Sequence, residues 1–171
     1  ISAVVVKGKQ AMAWLDKAGK QIIKDKGDTE GAITWVTPSG FLASQAYYEY
    51  EEHNVATKLY GHARIKVLVD SPDASPSRHS LGLSPNFIHS MDASHLHLVT
   101  AKMAELIPGV SLAMIHDSFG THAADTGVLF NALRDEFVKM YKDNDPLQAF
   151  ADRYKLDSPP AKGKLDLDEV Y

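Results

Sequence analysis

A short apolar run followed by a polar turn constrains the fold of this chain more than any other feature of the sequence. The run extends from Val110 to Ile115, between Pro108-Gly109 and the polar residues Asp117-Ser118. An apolar run of this length between chain breakers, interrupted here only by Ser111, is typical of a short strand buried on both faces. We therefore expect a buried strand that ends in a turn carrying Asp117.

Helical periodicity dominates much of the remaining sequence. Apolar residues recur at steps of three and four from residue 2 to about residue 24, with lysines between them. This spacing predicts an amphipathic helix that Gly27 ends. Further helices are predicted over 86–106 with an interruption or cap near 90–92, from an Asp125 N-cap to Tyr141, and over 146–154.

The segment between the first two helices has the composition of strands. Residues 32–37 are rich in β-branched and aromatic side chains and run into Pro38-Ser39-Gly40, which predicts a hairpin whose second strand spans 42–50. A third extended run covers 63–69, and the Pro- and Ser-rich residues 70–77 are predicted to form a loop. Helices together with short antiparallel strands indicate an α+β fold.

Composition limits the classes of protein to which this chain can belong. It has 171 residues, 44% of them apolar, and a formal charge of −4, so any nucleic-acid binding would depend on a local surface. The absence of cysteine fits a reducing compartment, and no apolar stretch approaches the roughly 20 residues of a membrane span. We expect a soluble cytoplasmic protein with no membrane partner, and the opening pattern at Ile1 suggests a fragment of a longer chain.

Asp117 allows two interpretations. An ionised carboxylate on a buried turn costs several kcal/mol unless a metal or hydrogen-bond donors compensate for its desolvation. Its hard oxygen ligands suit Mg²⁺, which takes one or two protein carboxylates together with phosphates and water. An Asp that bonds its own backbone in an Asx-turn explains the same position, and spacing alone does not favour the metal.

Two longer motifs stand out in the sequence: Ser84-Pro85-Asn86-Phe87-Ile88-His89-Ser90-Met91-Asp92-Ala93-Ser94-His95-Leu96 and Ile115-His116-Asp117-Ser118-Phe119-Gly120. Together they resemble the palm signature of single-subunit, phage-type DNA-directed RNA polymerases. The residue after Asp117 is Ser118, as in that family, whereas family A DNA polymerases typically have Glu there. Weaker similarities at 11–15, 35–41 and 160–165 extend the resemblance over most of the chain.

The resemblance implies a fragment of a right-hand polymerase. Residues 1–84 would form the C-terminal part of the fingers, with helices and a hairpin. Residues 85–171 would form the C-terminal part of the palm, in which the catalytic antiparallel hairpin packs on helices. In the family, two Mg²⁺ ions catalyse templated transfer of a nucleotide from an NTP to the RNA 3′ end.

The same resemblance implies roles for individual residues. Asp117 would bind metal, and His116 would lie near the primer end, although a histidine that only orients Asp117 is an equal alternative. His89 would contact the minor groove of the RNA–DNA hybrid. Weaker candidates in the same motif are Asn86, Ser90 and His95 for nucleic-acid binding, and Asp92. Ser90 and Asp92 are explained equally well as helix caps.

The expected partners are template DNA, nascent RNA, NTPs and the remainder of the polymerase. The second metal-binding Asp and the fingers helix of the family do not occur in this sequence, so we expect the isolated chain to be inactive. A natural split subunit that supplies a palm face to a partner chain is the alternative. Phage, plasmid and organellar origins are not separated by these motifs.

A zinc hydrolase and a phosphate-binding first helix are less favoured by the sequence. The eight histidines do not occur at the spacing of a zinc hydrolase. The lysines of the first helix are better explained as a solvated face than as a phosphate-binding surface. Trp14 and Trp35 are expected in the core. A helical stripe is expected to pack under the hairpin, formed by Phe130, Leu133, Phe137 and Tyr141.

Overall fold

Helices and three separate antiparallel hairpins alternate along the chain in a computed structural model, which describes residues 6–26, 31–58 and 63–163. The elements are α1 (Val6–Lys26), β1 (Ala32–Val36), β2 (Leu42–Ala46), β3 (Tyr48–Thr57), β4 (Ala63–Ala74), α2 (Pro76–Leu106), β5 (Leu112–Ile115), β6 (Ser118–Thr121), a 3-10 turn (Ala123–Asp125), α3 (Thr126–Asp143) and α4 (Pro146–Tyr154). The three hairpins are β1–β2, β3–β4 and β5–β6, and each is a two-stranded sheet.

The predicted α+β composition is confirmed, and so are several of its elements. Helix α1 buries Leu15, Ala18 and Ile22, as its periodicity predicts, whereas Gly27 lies outside the described residues. The β1–β2 hairpin turns at Gly40, whose φ of +82° suits a residue without a side chain. Helix α4 starts at Pro146, and the Asp145 carboxylate caps it by accepting from the backbone N–H of Gln148 at 3.1 Å.

The loop predicted over residues 70–77 is wrong. Strand β4 continues to Ala74, and helix α2 begins at Pro76. The pairing register shifts between Tyr48 and Tyr50, so that Pro72 lies in an irregular part of the ladder where its missing N–H is tolerated. Ser75 then caps α2, with Pro76 in the first turn, so both prolines serve regular structure.

The helix predicted over 86–106 is present and ends at Leu106 as predicted, but its predicted start and the interruption or cap near 90–92 are wrong. Helix α2 spans 31 residues without a break and contains Pro85 in its interior. The Ser90 hydroxyl donates to the carbonyl of Phe87 at 2.7 Å and therefore bonds within the helix instead of capping it. The second strand of the first hairpin ends at Ala46, before the Tyr50 that we predicted, because Tyr47 turns the chain into β3.

Two apolar cores of the described residues lie along α2, one at each half of the helix. The first joins α1, β1, the N-terminal half of α2 and α4, and it contains Trp35, which packs against Phe87 and Phe150. The second joins the C-terminal half of α2 to α3 through Val99, Met103 and Leu129, and the β5–β6 hairpin packs on it. The predicted division between residues 84 and 85 falls inside α2 and stays a prediction.

Strand β5 is not buried on both faces, contrary to our expectation. Leu112 and Met114 pack against the second core, but Ala113 and Ile115 are exposed, and Ile115 retains 71% of its accessible surface. A two-stranded sheet with helices on one side leaves its other face open. The buried face of α3 also differs from the predicted stripe, because Phe130 is exposed. The buried residues of α3 are Leu129, Ala132, Glu136 and Met140.

Candidate active site

The turn between β5 and β6 consists of His116 and Asp117. The strands pair in register, with Ile115 opposite Ser118 and Met114 opposite Phe119, so only two residues connect them. His116 has a φ of +54°, in the left-handed region that residues other than glycine rarely adopt. Two-residue hairpin loops favour turns with positive φ at the first loop residue, because the twist of these turns matches that of the strands, and this preference explains the conformation of His116.

Asp117 is exposed, not buried as we expected. The desolvation argument for a compensating metal therefore does not apply to this residue. Its carboxylate is instead open to a ligand that approaches from outside the chain. The exposure follows from the one-sided packing of the β5–β6 hairpin.

A cleft of about 470 Å³ joins this turn to α2. His116 and Asp117 line one side, and His89, Asp92, Ala93 and Leu96 of α2 line the other. The four α2 residues are spaced at steps of three and four, so they share one face of the helix. This spacing is a sequence signal that could have identified Ala93 and Leu96, which we did not predict.

The other residues predicted to bind nucleic acid have protein partners. The Asn86 side-chain amide donates to Gln45 Oε1 at 2.8 Å and to Tyr47 Oη at 3.2 Å. The Ser90 hydroxyl accepts from the indole N–H of Trp35 at 2.9 Å. The His95 Nε2 lies 2.9 Å from the carbonyl oxygen of Leu133. Of the predicted nucleic-acid contacts, His89 is the one that lines the cleft, and the roles of all four stay predictions.

A second cavity shares the charged residue Asp92 with the cleft. An apolar groove of about 820 Å³ runs between α1, α2 and the start of α4, and Asp92 lines it as well as the cleft. Burial raises the pKa of Tyr141 in that groove, and the negative charge of Asp92 raises it further. Asp92 therefore influences both cavities.

The donor set of the cleft fits a shared metal site. Within the described ranges, no group of three or more histidine and carboxylate side chains is arranged to hold an ion. Mg²⁺ in nucleotide-processing sites takes one or two protein carboxylates and completes its shell with phosphates and water. The exposed Asp117 carboxylate can supply one such ligand.

A buried polar network supports the N-terminal half of α2. His79 is fully buried, and its Nε2 lies 3.0 Å from the carbonyl oxygen of Gly31 and 3.1 Å from the backbone nitrogen of Tyr47. Its Nδ1 lies 3.1 Å from Nε2 of Gln45, which also bonds Asn86 through its carbonyl oxygen. Burial lowers the pKa of His79 below its usual value.

The first-helix lysines that the structure describes are exposed, as a solvated face would be: Lys7, Lys9, Lys17, Lys20 and Lys24. No helix in the described parts of the chain is both long and apolar enough to cross a bilayer.

Comparison with known proteins identifies the family. Residues 1–160 match the family model of DNA-dependent RNA polymerase. The chain is 35% identical to the DNA-directed RNA polymerase of Enterobacteria phage K11 over 99% of its own length and 21% of that protein. It is 33% identical to T7 RNA polymerase of Escherichia phage T7, over 99% of this chain and 22% of that enzyme.

Organellar polymerases are related as well. The chloroplastic DNA-directed RNA polymerase 3 of Nicotiana sylvestris is 31% identical over 93% of this chain and 16% of its own length. The chain thus spans about a fifth of the phage relatives that it matches. With the family match over nearly all of the sequence, this chain belongs to the DNA-dependent RNA polymerase family of the single-subunit, T7-like type.

Proposed function

We propose that this chain supplies one side of the active site of a DNA-directed RNA polymerase that adds nucleotides from NTPs to an RNA 3′ end. The observation that carries this proposal is the position of Asp117 and His89 on opposite sides of one open cleft. Both residues belong to the motifs that resemble the palm of the family. Residues 1–84 are proposed to belong to the fingers and 85–171 to the palm.

Asp117 is proposed as a metal ligand. When two Mg²⁺ ions are bound in such a site, they stabilise the attacking and leaving oxygens of nucleotidyl transfer. The exposed carboxylate can reach an ion that is shared with substrate phosphates. A single carboxylate cannot fix two ions, so the other ligands are proposed to come from the remainder of the polymerase, and the isolated chain is expected to be inactive.

The two histidines of the cleft are proposed to contact the nucleic acid. His116 precedes Asp117 on the turn and can hydrogen-bond near the primer end. His89 faces the cleft from α2, where it can donate to the minor-groove acceptors that every base pair presents. The internal bonds of Asn86 and Ser90 support a positional role within α2, from which they shape the surface that faces the RNA–DNA hybrid.

The partners of this site are proposed to be template DNA, nascent RNA, NTPs and the remainder of the polymerase. The net charge of −4 makes non-specific attraction of nucleic acid by this chain alone weak. The proposed compartment is the host cytoplasm or an organelle, in keeping with the phage and chloroplast sources of the relatives.

Metal binding at Asp117 can be tested on the isolated chain. Mn²⁺ added to the ¹⁵N-labelled protein should broaden the amide signals of residues 116–118 by paramagnetic relaxation, because Mn²⁺ accepts the same oxygen ligands as Mg²⁺. Asp117→Asn should remove most of this local broadening. The matched control is Asp125→Asn, whose side chain makes no cap hydrogen bond at the start of α3.

Equal broadening at residues 116–118 in the wild type and in Asp117→Asn would contradict the metal assignment. The same preparation also serves a templated RNA synthesis assay, in which no incorporation of NTPs by the chain alone is expected.

A further inference from the structure

We infer that His95 is a positioning residue that holds the β5–β6 hairpin against α2 and α3, and thereby sets the direction of the Asp117 side chain. The inference rests on the proposed role of Asp117 and assigns His95 a function different from nucleic-acid binding. Two observations support it: the contacts of the His95 ring, and the low stability that a two-stranded hairpin has by itself.

The hairpin cannot fix its own orientation. Its strands have four residues each, and an isolated two-stranded hairpin is marginally stable in water. Its turn is exposed and includes the left-handed residue His116. Because such backbone strain persists only where the surrounding structure enforces it, the hairpin needs support from its packed face.

The His95 ring provides that support by packing between two phenylalanines. Its centroid lies 5.7 Å from that of Phe119 and 5.5 Å from that of Phe137, both in edge-to-face geometry. Phe119 is in β6, two residues after Asp117, and Phe137 is in α3. One ring of α2 therefore contacts both the catalytic hairpin and the helix behind it.

A hydrogen bond fixes the rotation of the same ring. The Nε2 of His95 lies 2.9 Å from the carbonyl oxygen of Leu133, and a carbonyl only accepts, so Nε2 carries the proton and donates it. The ring cannot turn without losing this bond. Since the bond uses its Nε2–H, His95 is better suited to hold protein elements together than to read a nucleic acid.

A second contact of α2 restrains the other strand. The Thr100 hydroxyl lies 3.1 Å from the sulfur of Met114 in β5. Helix α2 thus contacts both strands of the hairpin, through His95 and Thr100. The same helix lines the opposite side of the cleft, so it determines both the position of Asp117 and the surface that Asp117 faces.

Hydrogen exchange measured by NMR on the whole 171-residue chain tests this inference. In His95→Ala, the amides of Ala113 and Gly120, which form a hydrogen-bonded pair of the β5–β6 ladder, should exchange about tenfold faster, the loss expected from two edge-to-face contacts. The amides of Trp35 and Ala43 in the β1–β2 hairpin should not change. His95→Phe keeps a ring but loses the donor, and it should show a smaller, equally local increase.

The control is His122→Ala, because this exposed residue directly follows β6. Equal acceleration in both hairpins would mean that His95 acts only on global stability, and no acceleration in either variant would mean that the ring does not hold the hairpin. Both results would overturn the inference. If His95→Ala does not fold, the same comparison of exchange rates in the two hairpins is made with His95→Phe.

The link to catalysis is measured in the polymerase assembled from this chain and the remaining segments of the enzyme. His95→Phe should raise the Mg²⁺ concentration for half-maximal RNA synthesis several-fold and leave the KM for NTPs unchanged. An unchanged Mg²⁺ requirement would overturn the positioning role. If Asp117→Asn leaves the assembled enzyme active, the proposed function fails, whereas the exchange experiment still reports on His95.

Discussion

His116 adopts a backbone conformation that the sequence around it does not reveal. Its φ of +54° is a property of the two-residue turn, and only pairing of Ile115 with Ser118 makes that turn so short. The motif could be recognised from sequence, but the exposure of Asp117 could not. The apolar run predicted burial, and the number of helices that pack against a strand is set by residues far from it in the chain.

The substitution His116→Gly distinguishes the backbone strain at this position from the function of the histidine side chain. His116→Gly should raise the free energy of unfolding by about 0.5–1 kcal/mol, because glycine adopts positive φ without the roughly 1–2 kcal/mol cost of other residues. Chemical unfolding of both proteins measures this difference.

Lys155 offers a matched control, since it ends α4 with a φ of +53° and lies outside the cleft. Lys155→Gly should be stabilising to a similar extent. In the assembled polymerase, His116→Gly should lower RNA synthesis and Lys155→Gly should not. A loss of stability in His116→Gly would show that the histidine side chain, and not the backbone, determines the turn.

Among the elements, helices and the first hairpin were predicted more successfully than the connections between them. The periodicity of apolar residues predicted α1, and the capping residue and proline predicted α4. Both signals are local, because they involve residues only a few positions apart in the sequence. The prolines led to a wrong prediction at residues 70–77, since Pro72 and Pro76 act at an irregular pairing and at a helix start. The long α2 depends on tertiary contacts, among them the bond between Trp35 and Ser90, that no local pattern contains.

The His79 network joins the base of the β3–β4 hairpin to α2 and should make stability depend on pH. Because the pKa of His79 is lowered in the folded state, the unfolded chain binds more protons below about pH 6.5. The free energy of unfolding should therefore decrease as the pH falls below about 6.5, by up to about 1.4 kcal/mol per pH unit from this residue.

Urea unfolding between about pH 5.5 and 8 measures this slope. His79→Gln should be less stable at the upper end of this range and should have a flatter pH dependence than the wild type. Identical slopes in the two proteins would mean that His79 is not the residue responsible.

Among the described residues, the β3–β4 hairpin and the groove between α1 and α2 expose apolar surface. The β3–β4 hairpin carries Val55, Ile65, Val67 and Val69 on one face, and each of these side chains is at least 40% exposed. The groove between α1 and α2 exposes Met12 and Ile88 as well. Exposed apolar patches of this kind mark surfaces that pack against other protein segments. This agrees with a chain that spans about a fifth of its phage relatives.

Self-association should follow from the apolar face of the hairpin. In sedimentation velocity, the wild-type chain should form larger species as its concentration rises. The triple variant Ile65→Thr, Val67→Thr and Val69→Thr should associate less, because threonine retains the strand propensity without the apolar surface. Leu68→Thr, on the opposite face, is the control, and a triple variant that associates as strongly as the wild type would exclude this face.

RNA synthesis by the recombined polymerase tests the central claim most directly. The chain is mixed with the complementary portion of a phage polymerase, and templated incorporation of NTPs is measured with the wild type, Asp117→Asn and the control Asp125→Asn. We predict activity with the wild type and the control, and a loss with Asp117→Asn of at least about 10²–10³-fold, the effect of removing one preorganised charge-stabilising group. Wild-type activity in Asp117→Asn would contradict the account.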